Sequence, residues 1–155
     1  MAKMQYTIEE RTAMITLDDG KANAINWDFI RELNAALDRA LADDAGALIL
    51  TTGRPGIFGA GLDLKFMPAL SPGDHYKFLS EFAETMIRLY LLPIPTIAAH
   101  AGHAIAGGAL MSFACDRFIM ADGPYRIQMN EALNKGMVIP SWIALICRSS
   151  IPQRW

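Results

Sequence analysis

Between residues 47 and 121, short apolar, β-branched runs alternate with longer amphipathic ones, and this alternation limits the possible folds more than any other feature of the chain. Residues 47–52 are continuously apolar and then β-branched, the pattern of a strand buried on both faces. Residues 71–92 follow with Phe78, Leu79, Phe82, Met86, Leu89 and Tyr90 at helical spacing. Ser71-Pro72 opens that helix, and Pro93 and Pro95 close it. Strands at 96–99 and 117–121 enclose a helix running from Gly107-Gly108 to Cys115. Strand, helix, strand, helix, strand predicts an α/β core with parallel neighbours, built from repeated ββα units.

The flanks fit the same scheme. Residues 5–8 and 13–17 read as two strands around the turn Glu9-Glu10-Arg11. Asn26 is a helix N-cap, followed by Phe29, Ile30, Leu33, Ala36, Leu37, Ala40 and Leu41 on one face of a helix to about residue 43. A further strand is expected at 125–129, and Pro140 opens a short helix carrying Trp142, Ile143 and Ile146. No linker or composition shift divides the 155 residues, so one domain is expected.

Composition excludes several function classes. With 14 basic and 16 acidic residues the net charge is −2 and no long charge run occurs, which argues against nucleic acid or an anionic membrane as partner. Two cysteines, Cys115 and Cys147, cannot supply a disulfide framework or a cysteine-rich zinc site. The longest apolar run, 104–115, is too short to span a bilayer, and the first residues lack a signal-peptide pattern, so a cytoplasmic protein is expected. A mean hydropathy of +0.20 suggests apolar surface covered by a partner.

Two glycine-rich junctions between strand and helix are the candidate chemistry: Gly59-Ala60-Gly61-Leu62-Asp63-Leu64 and the segment from Gly102 to Gly108. Each presents unhindered backbone N–H groups near a helix N-terminus, and two such groups brought together would form an oxyanion hole. Glycines that merely permit tight turns and close packing explain the same pattern. Neither junction carries a P-loop ending or dinucleotide-binding spacing. Glu131 follows an apolar strand with few other charges nearby, and a carboxylate in an apolar cleft suits a proton shuttle. A glutamate stabilised at a helix N-terminus is the alternative. Asp63 and Asp116 read as turn anchors and His75 as solvent-facing. His100 and His103 lack a third ligand, so no metal site is expected.

These residues resemble a known family. Leu50-Thr51-Thr52-Gly53 through Phe58-Gly59-Ala60-Gly61-Leu62-Asp63-Leu64-Lys65 is similar to the first signature of the crotonase (enoyl-CoA hydratase/isomerase) superfamily. Gly102-His103-Ala104-Ile105-Ala106-Gly107-Gly108-Ala109-Leu110 through Asp116 resembles the second, and Lys21-Ala22-Asn23-Ala24-Ile25 resembles the early coenzyme A loop.

The resemblance implies a crotonase-like spiral of ββα units, one core domain over residues 1–155, truncated at its C-terminus. It implies an acyl-CoA thioester as substrate, no cofactor beyond the coenzyme A of that substrate, and a homotrimer or hexamer. The backbone N–H groups of Leu62 and Gly107 would be the oxyanion hole. Backbone around Ala22, Ala24, Ala60, Asp63 and Leu64 would hold the coenzyme A. Family hydratases carry two glutamates; here the first position is Leu110 and the second is Glu131, a pattern similar to that of the Δ3,Δ2-enoyl-CoA isomerases. Isomerisation of a 3-enoyl-CoA to the 2-enoyl-CoA, with Glu131 as sole acid/base, is therefore the leading reading. A hydratase with an unusual water-activating group, and a catalytically weak acyl-CoA-binding subunit, are the alternatives. The missing C-terminal helices would leave Trp142, Ile143 and Ile146 uncovered.

Overall fold

The computed structural model describes residues 4–131, 136 and 138–151. Strands β1 (Met4–Glu9) and β2 (Thr12–Leu17) form the expected hairpin, with Glu9 opposite Thr12, so that Glu10 and Arg11 alone make the turn. Both turn residues have positive φ, +46° and +62°. Two-residue turns of that hand match the twist of the strands, but Asn-Gly is their usual sequence. Here long-range bonds hold the turn instead. Arg11 Nε donates to Asp44 O at 3.1 Å, and Arg11 O accepts from Gly46 N at 2.7 Å.

The main sheet runs in the order β1-β2-β4-β7-β9, adding β4 (Ala47–Thr52), β7 (Thr96–His100) and β9 (Arg117–Met120), all parallel to β2. Its register aligns Ile15, Leu50 and Ala98 in one row and Ala13, Leu48 and Thr96 in another, every one of them buried. Each fully buried large aliphatic contributes about 2 kcal/mol through removal from water. Helix α1 (Trp27–Ala42) starts where Asn26 Oδ1 accepts from Phe29 N, and α2 (Pro72–Tyr90) where Ser71 Oγ accepts from Asp74 N, both at 3.2 Å. The two helices are tied by Asn34, whose Nδ2 donates to Thr85 Oγ1 at 2.7 Å and whose Oδ1 accepts from Arg88 Nη1 at 2.9 Å.

The glycine-rich segments do more than loop. β5 (Gly56–Gly59), β8 (Gly102–Ile105) and β10 (Ile127–Gln128) build a second, all-parallel sheet in the order β10-β8-β5, while β3 (Ala24–Ile25) pairs with β6 (Gly61–Leu62). Residues 53–61, expected as a loop, thus contain β5 and the first residue of β6, and the strand expected at 125–129 is confined to Ile127–Gln128. In β4-β5-α2 and again in β7-β8-α3 the chain sends one strand to the main sheet and one to the smaller sheet before its helix, which is the ββα spiral.

Helix α3 (Gly107–Ala114) is buried along its whole length at the centre. A side chain at Gly108 would place its β-carbon 2.2 Å from Gly59 O, so glycine is what lets α3 rest directly on β5. Helix α4 (Ser141–Ser150) packs against α3 and buries Ile143 and Ile146, while Trp142 is half-buried edge-to-face on Phe82. The expectation that this face stands uncovered is therefore corrected: α3 and α2 already cover it. Large apolar side chains that stand exposed among the described residues include Val138, Tyr76, Leu91, Leu145 and Ile119.

Candidate active site

The two glycine-rich junctions, some 45 residues apart in sequence, meet in space. Gly61 adopts φ +85°, and a β-carbon there would lie 2.8 Å from both Ala106 Cβ and Gly107 N. Asp63 N donates to Ile25 O at 2.9 Å. Successive N–H groups of an extended strand face opposite sides, so that of Leu62 turns away from β3. Gly107 N opens α3 in its first turn, where helical N–H groups lack intrahelical acceptors. Ala106, just before it, holds the left-handed φ of +51°, a conformation costing a non-glycine residue about 1–3 kcal/mol. That strained residue converts β8 into α3 within one step.

Both junctions border a cavity of about 210 Å³. Leu62, Gly107 and Leu110 line it together with Leu79 and Phe82 of α2 and Trp142 and Ile143 of α4. Asn130 and Glu131, which follow β10, complete the wall. Glu131 is the single carboxylate among the described residues that line the cavity. Its Oε2 is enclosed and has no hydrogen-bond partner among the described residues. A carboxylate oxygen left unpaired beside apolar walls is free to take a proton from a bound molecule. Leu110, buried and uncharged, lines the same cavity. The remaining residues of the motif around Glu131, 132–135, lie outside the described residues.

The residues proposed for coenzyme A fall on adjoining segments. Ala60 N donates to Ala22 O at 3.0 Å, Ala24 pairs with Gly61, and Leu64 is half exposed at the cavity edge. Asp63 spends its carboxylate locally, with Oδ1 accepting from Lys65 N at 3.0 Å and Phe66 N at 3.2 Å. Asp116 likewise accepts from Thr96 N and Oγ1 at 2.7 and 3.0 Å, so both aspartates anchor turns. Sequence reasoning missed Asn23, a buried residue at φ +52°. Its Oδ1 accepts from Asp19 N and its Nδ2 donates to Phe58 O, both at 3.0 Å, which pins the loop bearing Ala22 to β5. It also missed the convergence of α2 and α4 on the cavity, because apolar periodicity reads alike for a core face and a cavity wall.

The other reactive side chains are occupied or inert. His103 Nδ1 accepts from Arg126 N at 3.1 Å. His75 is half-buried rather than solvent-facing, on the inward-turning edge of α2. Among the described residues no three His, Cys, Asp or Glu side chains cluster as metal ligands would. Both cysteines are free. Burial pushes the Cys115 thiol up to about 12, and burial with the neighbouring Glu131 charge raises that of Cys147. Neither is a nucleophilic thiolate near neutral pH.

His100 is 3% exposed, its Nε2 is 2.7 Å from Ser112 Oγ, and its ring lies 4.2 Å from that of Phe58. Burial lowers its pKa from 6.5 to about 4. The unfolded chain therefore takes up a proton on this histidine at a higher pH than the folded one does. Its contribution is complete above pH 6.5 and is lost as pH falls towards 4. The loss is expected to reach about 3 kcal/mol. Urea unfolding at pH 7 and pH 4.5 checks this: the acid destabilisation should be clearly smaller in His100→Phe than in the parent chain, and equal losses would refute it.

Comparison with known proteins agrees with this fold. A family model described as enoyl-CoA hydratase/isomerase matches residues 7–155. The mitochondrial enoyl-CoA delta isomerase 1 of Rattus norvegicus is 36% identical over 137 residues, covering 87% of this chain and 47% of the relative. A protein named "probable enoyl-CoA hydratase" from Mycobacterium leprae is 39% identical over 115 residues, covering 73% of this chain and 44% of the relative. The crystal structure of human mitochondrial delta3-delta2-enoyl-CoA isomerase superposes with a TM-score of 0.88 at 30% identity, over 93% of this chain and 57% of that one. The chain thus spans about half the length of the curated relatives it matches. No helix among the described residues is long and apolar enough to cross a membrane. Motifs, spiral and relatives converge on one conclusion: the chain belongs to the enoyl-CoA hydratase/isomerase family.

Proposed function

We propose that this chain isomerises 3-enoyl-CoA thioesters to the conjugated 2-enoyl-CoA, with Glu131 as the only acid/base. The observation that carries the reading is the lining of the cavity, in which Glu131 is the single described carboxylate and Leu110 stands at the position where the family's hydratases have their first glutamate. The thioester carbonyl oxygen sits between the N–H groups of Leu62 and Gly107, and the coenzyme A runs along Ala22, Ala24, Ala60, Asp63 and Leu64. Glu131 removes a proton from C2. The C–H electron pair moves towards the carbonyl, giving a dienolate whose oxygen charge the two N–H groups stabilise by several kcal/mol. The same carboxyl group returns the proton at C4, so that the C3=C4 double bond is replaced by C2=C3.

Hydration needs one group to hold a water and another to exchange its proton. A leucine at 110 can do neither. Relatives bear both isomerase and hydratase names, so the test measures both reactions on one preparation. Isomerisation of 3-hexenoyl-CoA should exceed hydration of crotonyl-CoA at equal concentration by at least about tenfold. Efficient hydration without isomerisation would reverse the assignment.

A further inference from the structure

Resting on the oxyanion-hole reading above, we propose that His100, acting through Ser112, is a positioning residue that holds the two proposed N–H donors, Leu62 and Gly107, in register. Both polar side chains are buried at the centre of the molecule, His100 at 3% and Ser112 at 0% exposure. Groups of this kind are costly to bury unless they are hydrogen-bonded. His100 ends β7, and its Nε2 lies 2.7 Å from Ser112 Oγ on α3. Ser112 Oγ also reaches back one helical turn to Gly108 O, at 3.1 Å. Gly108 directly follows the donor Gly107. His100 is not among the described residues that line the cavity, so it acts through its neighbours.

The serine hydroxyl has one hydrogen, and this sets the direction of the chain of bonds. If Ser112 donates to Gly108 O, it accepts from His100, so the imidazole carries its proton on Nε2. Nδ1 is then a bare lone pair, and it has no hydrogen-bond partner. The other tautomer would leave an N–H orphaned in the core, which is the rarer arrangement. The start of α3 needs outside support. Ala106 caps it with no side-chain bond, and its first two residues are glycines, which after proline favour a helix least. The face of the imidazole meets the other junction. Its ring centroid lies 4.2 Å from that of Phe58 on β5, and β5 continues through Ala60 into Gly61 and Leu62. One side chain thus touches both segments that carry the donors.

The first test needs no variant. In nitrogen-15 NMR of the wild type at neutral pH, His100 should be the Nε2–H tautomer. An Nδ1–H tautomer overturns the proposal, because the Ser112 hydrogen then points at the ring and leaves Gly108. Kinetics supply the second test. Ser112→Ala and His100→Phe should each lower kcat for 3-hexenoyl-CoA about tenfold with KM within about threefold, less than the loss of a whole donor. The double variant should fall no further, since all three break one chain of bonds. His100→Gln keeps an N–H near the reach of Nε2 but loses the ring, and it should retain more turnover than His100→Phe, which keeps a ring without the donor. The reverse order, or lowered melting temperatures with kcat intact, makes the pair core packing alone and overturns the proposal. Carbon-13 NMR of bound hexanoyl-CoA labelled at its carbonyl separates this from the reading beneath it. Hydrogen bonds to the carbonyl oxygen move the resonance downfield, so the wild type should show that shift and Ser112→Ala should lose much of it. A wild-type complex without the shift removes the oxyanion hole and the positioning role together. A shift kept undiminished in the variants removes the positioning role alone.

Discussion

Glu131→Gln is expected to lower turnover of 3-hexenoyl-CoA at least about a hundredfold while leaving acyl-CoA affinity within a few-fold. Glutamine keeps the shape of the side chain and can still hydrogen bond, but it can neither remove the C2 proton nor deliver one to C4. Positioned acid/base groups contribute roughly 10²–10⁴ to rate, and here no second described carboxylate borders the cavity to substitute. Stability should change little or rise, because the carboxylate Oε2 has no described partner to lose. Near-normal isomerisation by the variant would remove Glu131 from the chemistry. Lost binding with unchanged turnover per bound enzyme would move it to a substrate-holding role.

The second large effect is expected at Gly61. Alanine there must hold φ +85° and place its β-carbon 2.8 Å from Ala106 Cβ and Gly107 N, so the backbone has to separate at the point where the two junctions touch. Ala106 is already strained, which leaves it little room to yield. On the proposed mechanism, the N–H groups of Leu62 and Gly107 would then no longer meet at one carbonyl oxygen. Losing one oxyanion donor typically costs 10²–10³ in turnover, and Gly61→Ala should fall in that range with a lowered melting temperature. Gly20→Ala is the matched control. Gly20 also has positive φ, +77°, but nothing lies within 4 Å of the added carbon. It should cost about 1 kcal/mol in stability and leave the turnover of the folded fraction intact. If the two variants lose activity equally, the junction is not the site of catalysis.

What could be read from the sequence was local. Asn26 and Ser71 cap their helices through their own side chains, and Pro93 and Pro95 stop α2, so each end is written within a few residues. β4 of the main sheet was legible because its run is continuously apolar and then β-branched, although it buries one face fully and the other only in part. The smaller sheet was not. Its strands β5 and β8 are four residues long, begin with glycine and pair only with segments some 23 to 45 residues away, so no local pattern marks them. The hairpin turn shows the same division: strands on either side of Glu10-Arg11 were legible, but the left-handed turn depends on Asp44 and Gly46. In the site, the glycines and Glu131 were recognisable through motif likeness. Phe82 and Trp142 were not, since a wall and a core face carry the same apolar spacing.

The single-carboxylate mechanism has a direct isotopic signature. Conversion of 3-hexenoyl-CoA carrying deuterium at both C2 positions, followed by NMR of the 2-hexenoyl product, reports where the label removed from C2 arrives. Transfer by Glu131 inside a largely apolar cavity is expected to place deuterium at C4 in a substantial fraction of the product. Conjugated product whose new C4 hydrogen comes wholly from solvent would contradict a proton carried from C2 to C4 by one shielded carboxylate.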